Sequence, residues 1–125
     1  MNLNVAITGF VVGDNLEIRR SVSDLPDSID TAWLTAKVRA GQDDADAIVQ
    51  KAITTADVPG VGQVENAGPG TDGVLRFDLV PADTLAIGTR RLVYDIQLAL
   101  SNGSIYTVEM GTFQLTDQIT RATSA

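Results

Sequence analysis

The sequence predicts an all-β domain, an antiparallel sandwich of about seven strands. Three observations carry that reading. Apolar residues recur at period two over most of the chain, and turn residues interrupt them roughly every ten positions. The strongest short hairpin signal, Asn102-Gly103, lies between the two best alternating runs. With 125 residues and 44% hydrophobic content, the chain has the size of one domain and ample material for a core.

The elements follow in order. Leu3 to Val12 is an apolar run that predicts a strand over 3–12. Gly13-Asp14-Asn15 supplies a turn, after which Leu16, Ile18 and Val22 alternate with Glu17, Arg19 and Ser21 in a strand over 15–22. Ala32, Leu34, Ala36 and Val38 alternate with Trp33, Thr35, Lys37 and Arg39 over 31–40. A strand is expected over 47–54, although Asp44 to Lys51 also suits a turn of helix. Asp57 to Gly73 carries five glycines and two prolines and reads as a long loop, mobile or in contact with a partner.

Leu75, Phe77 and Leu79 then alternate with Arg76 and Asp78 over 73–80. Pro81 to Ile87 suits one helical turn bridging the sheets, with Leu85 or Ile87 plugging the core. Over 90–101, Leu92, Tyr94, Ile96, Leu98 and Leu100 are apolar, with Arg91, Asp95 and Gln97 between them. Tyr106, Val108 and Met110 continue the inward phase over 104–116, and a phase change after Gly111 predicts a bulge or a change of sheet there. The sum is an immunoglobulin-like antiparallel β-sandwich, with a small barrel as the alternative. One domain is expected over 1–125, its ordered core about 3–118 and a polar tail at 119–125.

Composition removes much chemistry. The chain has no Cys and no His, so disulfides, thiol nucleophiles, Cys/His zinc sites and His-based triads are excluded. Lys+Arg is 9 against Asp+Glu 16, a net charge of −7 that opposes nucleic-acid binding. The acidity is spread out, −4 over residues 1–62 and −3 over 63–125. No apolar run approaches the roughly 20 residues of a membrane span, and the opening MNLNVAITGF lacks the basic region of a signal peptide.

The remaining candidates are few. Asp43, Asp44 and Asp46 bring three carboxylates together as hard ligands for calcium, without the Gly and Glu of an EF-hand; a solvated loop is the plainer reading. Asp78 and Asp95 lie on polar strand phases and are expected to face solvent, not one another across a cleft. Lys37 and Lys51 are also expected to be exposed. The glycines of 60–73 have no GKS/T after them and make no phosphate loop. Trp33 occupies a polar phase, so either the alternation inverts and it is core, or a large aromatic lies outside; core is the expectation taken. An outward Trp33 would anchor a partner protein or stack on a sugar ring, with Tyr94 or Tyr106 as further stacking platforms.

Three stretches resemble a known group: Val12-Gly13-Asp14 with Leu16, Ile18 and Val22; Ala32 to Val38 followed by Asp44 to Thr54; and Val74 to Val80 followed by Pro81-Ala82-Asp83-Thr84, Gly88-Thr89, Tyr94 to Leu98 and the Gly103 turn. Together they resemble the immunoglobulin-like domain of tailed-phage baseplate upper proteins and tail-fibre adaptors, over roughly residues 10–120. The usual "D-L-T-G-A" before the central strand is replaced here by Asp24 to Asp30. The resemblance implies a non-catalytic virion protein without a cofactor, an accessory subunit of the tail, baseplate or fibre-attachment region. Its partners would be other virion proteins in a symmetric, multi-copy or homo-oligomeric assembly, with no nucleic acid and no membrane. A capsid decoration or head-tail neck subunit is the alternative placement, and a carbohydrate-binding module the more distant one. For partner contact the expected residues are Val61, Val64, Glu65 and Asn66 in the long loop, Arg90 and Arg91, and Arg121 with the terminal segments.

Overall fold

Strand-forming alternation dominates the computed structural model, which describes residues 2–11, 15–38, 47–87 and 91–116. In chain order the elements are β1 (Asn2–Val11), β2 (Leu16–Val22), β3 (Ile29–Lys37), β4 (Val49–Ile53), β5 (Gly62–Asn66), β6 (Gly73–Leu79), α1 (Pro81–Ile87), β7 (Arg91–Leu100) and β8 (Ile105–Thr116). They form a five-stranded sheet, β1-β8-β7-β3-β4, facing a three-stranded sheet, β2-β6-β5. All pairings are antiparallel except that of β1, which joins β8 in parallel at the sheet edge. This is the strand order of an immunoglobulin-like sandwich: one sheet carries the central β8-β7-β3 set extended by β4, and the other carries the partners of β6.

The period-two pattern explains the layers. Leu92, Tyr94, Ile96, Leu98 and Leu100 of β7 are all buried, with the residues between them on the outer face. Leu75, Phe77 and Leu79 of β6 meet them from the opposite sheet, and Leu34, Ile53, Val64 and Phe113 complete the core. Phe113 packs edge-on against Tyr94, ring centroids 6.1 Å apart at 88°. The Asn102-Gly103 turn forms as expected. Gly103 takes a φ of +90° and donates its N–H to Leu100 O at 2.9 Å, and the Asn102 side chain accepts from Ser104 N at 2.9 Å.

Several expectations need correction. The stretch 57–73 is not a loop throughout: it contains β5, which pairs with β6 and receives closure from the other sheet through Val64 N donating to Thr54 O at 2.7 Å. The bulge in β8 lies at Val108, not Gly111, because Ile96 pairs with Glu109 while Gln97 pairs with Thr107. The extra residue turns Glu109 inward, 2% exposed, and places Met110 on the outer face, 42% exposed. Tyr106 is exposed beyond the end of the core.

α1 begins with an N-terminal cap: Pro81 is its first residue, and the Asp83 carboxylate accepts from Val80 N at 3.0 Å. Leu85 does not plug the core and is 55% exposed. Thr84 takes the buried place, its hydroxyl donating to Pro81 O at 3.1 Å, so no polar atom is stranded there. The side chain of Ile87 lies outside the described residues. Among the described residues, no helix is long and apolar enough to cross a membrane.

Candidate interaction surface

A two-layer sandwich has two outer faces, and here they are dressed very differently. The outer face of the three-stranded sheet is an ion-pair ladder. Register places Arg19 directly opposite Arg76, an unfavourable like-charge pair taken alone. Glu65 of β5 bridges them, with Arg19 Nε at 3.0 Å from one oxygen and Arg76 Nη1 at 3.2 Å from the other. Arg76 also donates to Asp57 at 2.6 Å and lies with its Nε 3.2 Å from Asp78, while Arg19 reaches Glu17 at 3.4 Å. The hydrogen bond to Asp57, ahead of the pull of Asp78, holds the Arg76 guanidinium charged even more firmly than usual despite the cost of its desolvation. Each such surface pair contributes little stability, but the face is occupied by its own partners.

The described outer face of the five-stranded sheet mixes apolar side chains and hydroxyls, with Lys37, Asp95 and Gln97 among them. Its rows can be read from the register: Lys37-Val93-Thr112, then Thr35-Asp95-Met110, then Trp33-Gln97-Thr107, then Thr31-Ala99-Ile105. Ile105 is 64% exposed, and Trp33 is partly exposed between Gln97 of β7 and Ala52 of β4. The expectation of a core Trp33 is therefore corrected: Ala32 and Leu34 fill the core on the strand's other face, both at 0% exposure, so the alternation does not invert. Gln97 Nε2 donates to Thr107 at 3.3 Å and Asp95 at 3.4 Å, and Gln50 Nε2 donates to Thr35 at 3.2 Å, which ties the polar groups of this face down locally.

Between the sheets lies a polar pin. Arg20 of β2 donates from Nε to Glu109 Oε1 at 2.8 Å, and the Tyr94 hydroxyl donates to the second Glu109 oxygen. Glu109 is 2% exposed. Half of this pin is legible in the sequence, since Arg20 shares the inward phase of Leu16, Ile18 and Val22. Glu109 carried no such signal, because the bulge before it resets the phase. The Tyr94 proton is held beyond the usual tyrosine range, first by burial and then by the hydrogen bond to Glu109, with Arg20 pulling the other way. The neutral phenol is thus favoured by folding. Its contribution is whole below about pH 10 and is lost as pH rises above that value. In a Tyr106→Phe background, ultraviolet titration is expected to show the Tyr94 phenol ionising only as the protein unfolds. Ionisation at about pH 10 in the intact fold would contradict this.

The other sequence candidates fall as follows. Val64 is corrected outright: at 2% exposure it is a core residue of β5 and offers nothing to a partner. Val61 is partly buried against the core. Glu65 is exposed but engaged with Arg19 and Arg76, and Asn66 is exposed and holds its own turn through Gly68 N at 3.0 Å and Thr71 at 3.1 Å. Arg91 is exposed at the end of the apolar face. Arg90, Arg121 and the Asp43-Asp44-Asp46 cluster lie outside the described residues.

Asp78 and Asp95 sit on the outer faces of opposite sheets, so they share no cleft. Lys51 is not exposed as expected. It shares the inward phase of Val49 and Ile53, and at the sheet edge its Nζ reaches Asp83 at 2.7 Å and Gly60 O at 2.9 Å, tying β4 to α1. Among the described residues, no three acidic side chains gather as a metal site. Compared with known proteins, the chain matches no family model and no curated protein.

Proposed function

We propose that this chain is a non-enzymatic structural protein of a tailed-phage virion, an accessory subunit of the tail, baseplate or fibre-attachment region that works by being held between neighbours. The observation that carries the reading is the unequal dressing of its two faces. One is closed by its own ion pairs, and the other presents Trp33, Val93, Ile105 and Met110 among threonines. A rigid sandwich with one sticky face suits repeated docking in a symmetric assembly, where a modest contact gains strength by repetition. The resemblance of residues 10–120 to phage immunoglobulin-like domains supplies the setting.

The test is mass spectrometry and imaging of purified particles. The chain is expected as a stoichiometric component at the tail. A copy number on the order of hundreds would move it to the capsid, as a decoration subunit, and its absence from particles would end the virion reading.

One observation favours a second reading. With Trp33 on an outer face, a carbohydrate-binding module has the stacking platform it needs. Glycan binding that is lost in Trp33→Ala, with an unchanged melting profile, is the expected result on that reading. No binding at about millimolar sugar removes it.

A further inference from the structure

The same four rows carry a self-complementary pattern. Met110 and Ile105 are both well exposed on the outer side of β8, at 42% and 64%. They lie one row above and one row below the row of Trp33, Gln97 and Thr107. The two ends of the face differ in charge, with Asp95 between them. Lys37 and Arg91 mark one end of the face, and exposed Asp30 lies at the other, beside Thr31. We infer that a second copy of this chain packs face to face on this sheet, strands antiparallel, about a two-fold axis running along the Trp33-Gln97-Thr107 row.

That axis brings the apolar rows and the charged ends of the face onto suitable partners. Met110 of each copy covers Ile105 of the other, and the Trp33 rings meet at the axis. The two Gln97 amides face one another as donor and acceptor. Lys37 of one copy approaches Asp30 of the other. Asp95 falls over the row of Thr31 and Ala99, a charge that the interface leaves facing an uncharged row, and the two Asp95 carboxylates stay about 13 Å apart along the strand direction. A two-fold axis parallel to the strands would instead bring Lys37 and Arg91 of both copies to the same end, which repulsion disfavours. Aligned face-to-face packing is a standard way for two sheets to bury apolar faces. The face spans on the order of 600 Å² per copy, so about 1,200 Å² in all, at the lower edge of specific interfaces. The dimer should therefore depend on concentration.

This inference rests on reading the five-stranded sheet as the contact face, and not on placement in a virion. The test uses the purified chain alone, in sedimentation velocity over about a hundredfold range of concentration. A monomer–dimer equilibrium is expected. Ile105→Glu and Met110→Lys should each weaken it about tenfold or more, because each buries a charge against an apolar side chain. Both sites are exposed, so the melting profile at concentrations where the chain is monomeric should stay unchanged. The double variant Ile105→Glu/Met110→Lys should recover most of the lost affinity, since the new opposite charges then meet across the axis and not within one chain. A monomer at every concentration overturns the inference while leaving the virion reading to the particle experiment. A dimer indifferent to both single changes, or a double variant no tighter than either single, overturns it too.

Discussion

Glu109→Ala is expected to lower the stability of the sandwich by about 3 kcal/mol, which for a domain of this length lowers Tm by about 10 °C. The reason is what the change leaves behind. Glu109 is 2% exposed and satisfies two donors at once, Arg20 Nε at 2.8 Å and the Tyr94 hydroxyl. Removing it strands the Tyr94 hydroxyl in a core position that is 3% exposed and takes away the partner of a guanidinium. Arg20 is one-third exposed at its side chain (33%) and can turn outward, which keeps the loss below the upper range for a fully buried pair.

Glu109→Gln should cost less, because it retains shape and one acceptor. The combined replacement Arg20→Met, Glu109→Leu and Tyr94→Phe should come close to the parent, since an apolar set of similar size needs no desolvation of charge. Denaturant unfolding of the four proteins separates these cases. A loss under about 1 kcal/mol in Glu109→Ala would show that the pin is not a stabilising element.

The same pin shows what the sequence made legible and where its signal stops. Alternation marked β7 without ambiguity, because all five of its inward side chains are apolar, and the Asn102-Gly103 turn fixed the hairpin to β8. Leu16, Ile18 and Val22 mark β2, but Arg20 in the same phase is not readable as an inward group, since a charged residue there has no meaning until its partner is known. That partner is set by the bulge at Val108, and a bulge is a property of paired strands, not of one strand's residue spacing. Lys51 is a similar case: the inward phase of Val49 and Ile53 was visible, but not the proximity of Asp83 on α1.

The candidate surface was legible only in pieces. The polar phases of β3 and β7 were separately evident, and Trp33 stood out on one of them. Which strands adjoin and which residues share a row depend on long-range pairing, so neither the Met110-to-Ile105 spacing about the Trp33 row nor the ion-pair closure of the opposite face was readable from one strand at a time. β5 escaped for a different reason. It is five residues long, and the glycines and prolines around it resemble loop punctuation.

Gly62, the first residue of that strand, should show that its glycine is required by close packing and not by loop freedom. Gly62→Ala is expected to cost roughly 3 kcal/mol or more, with a fall in Tm of about 10 °C. Two effects add. Its φ of +131° is a conformation that side chains rarely adopt. A Cβ there would also lie 2.0 Å from the Arg76 carbonyl oxygen and 3.0 Å from Ile53 Cγ2, so the β5–β6 pairing itself would have to shift. Gly62 is held in place by reciprocal backbone bonds with Val58, at 3.0 and 3.1 Å, and it pairs with Phe77, a core residue at 0% exposure. Relaxation of the clash would therefore disturb both the turn and the core. Gly70→Ala is the matched control: its φ is +91°, and a Cβ there would meet nothing within 4 Å. It should show the backbone strain alone, about 1 kcal/mol. Equal losses in the two variants would mean that the close approach of β5 to the Arg76 carbonyl contributes nothing, and that Gly62 serves only as a flexible joint.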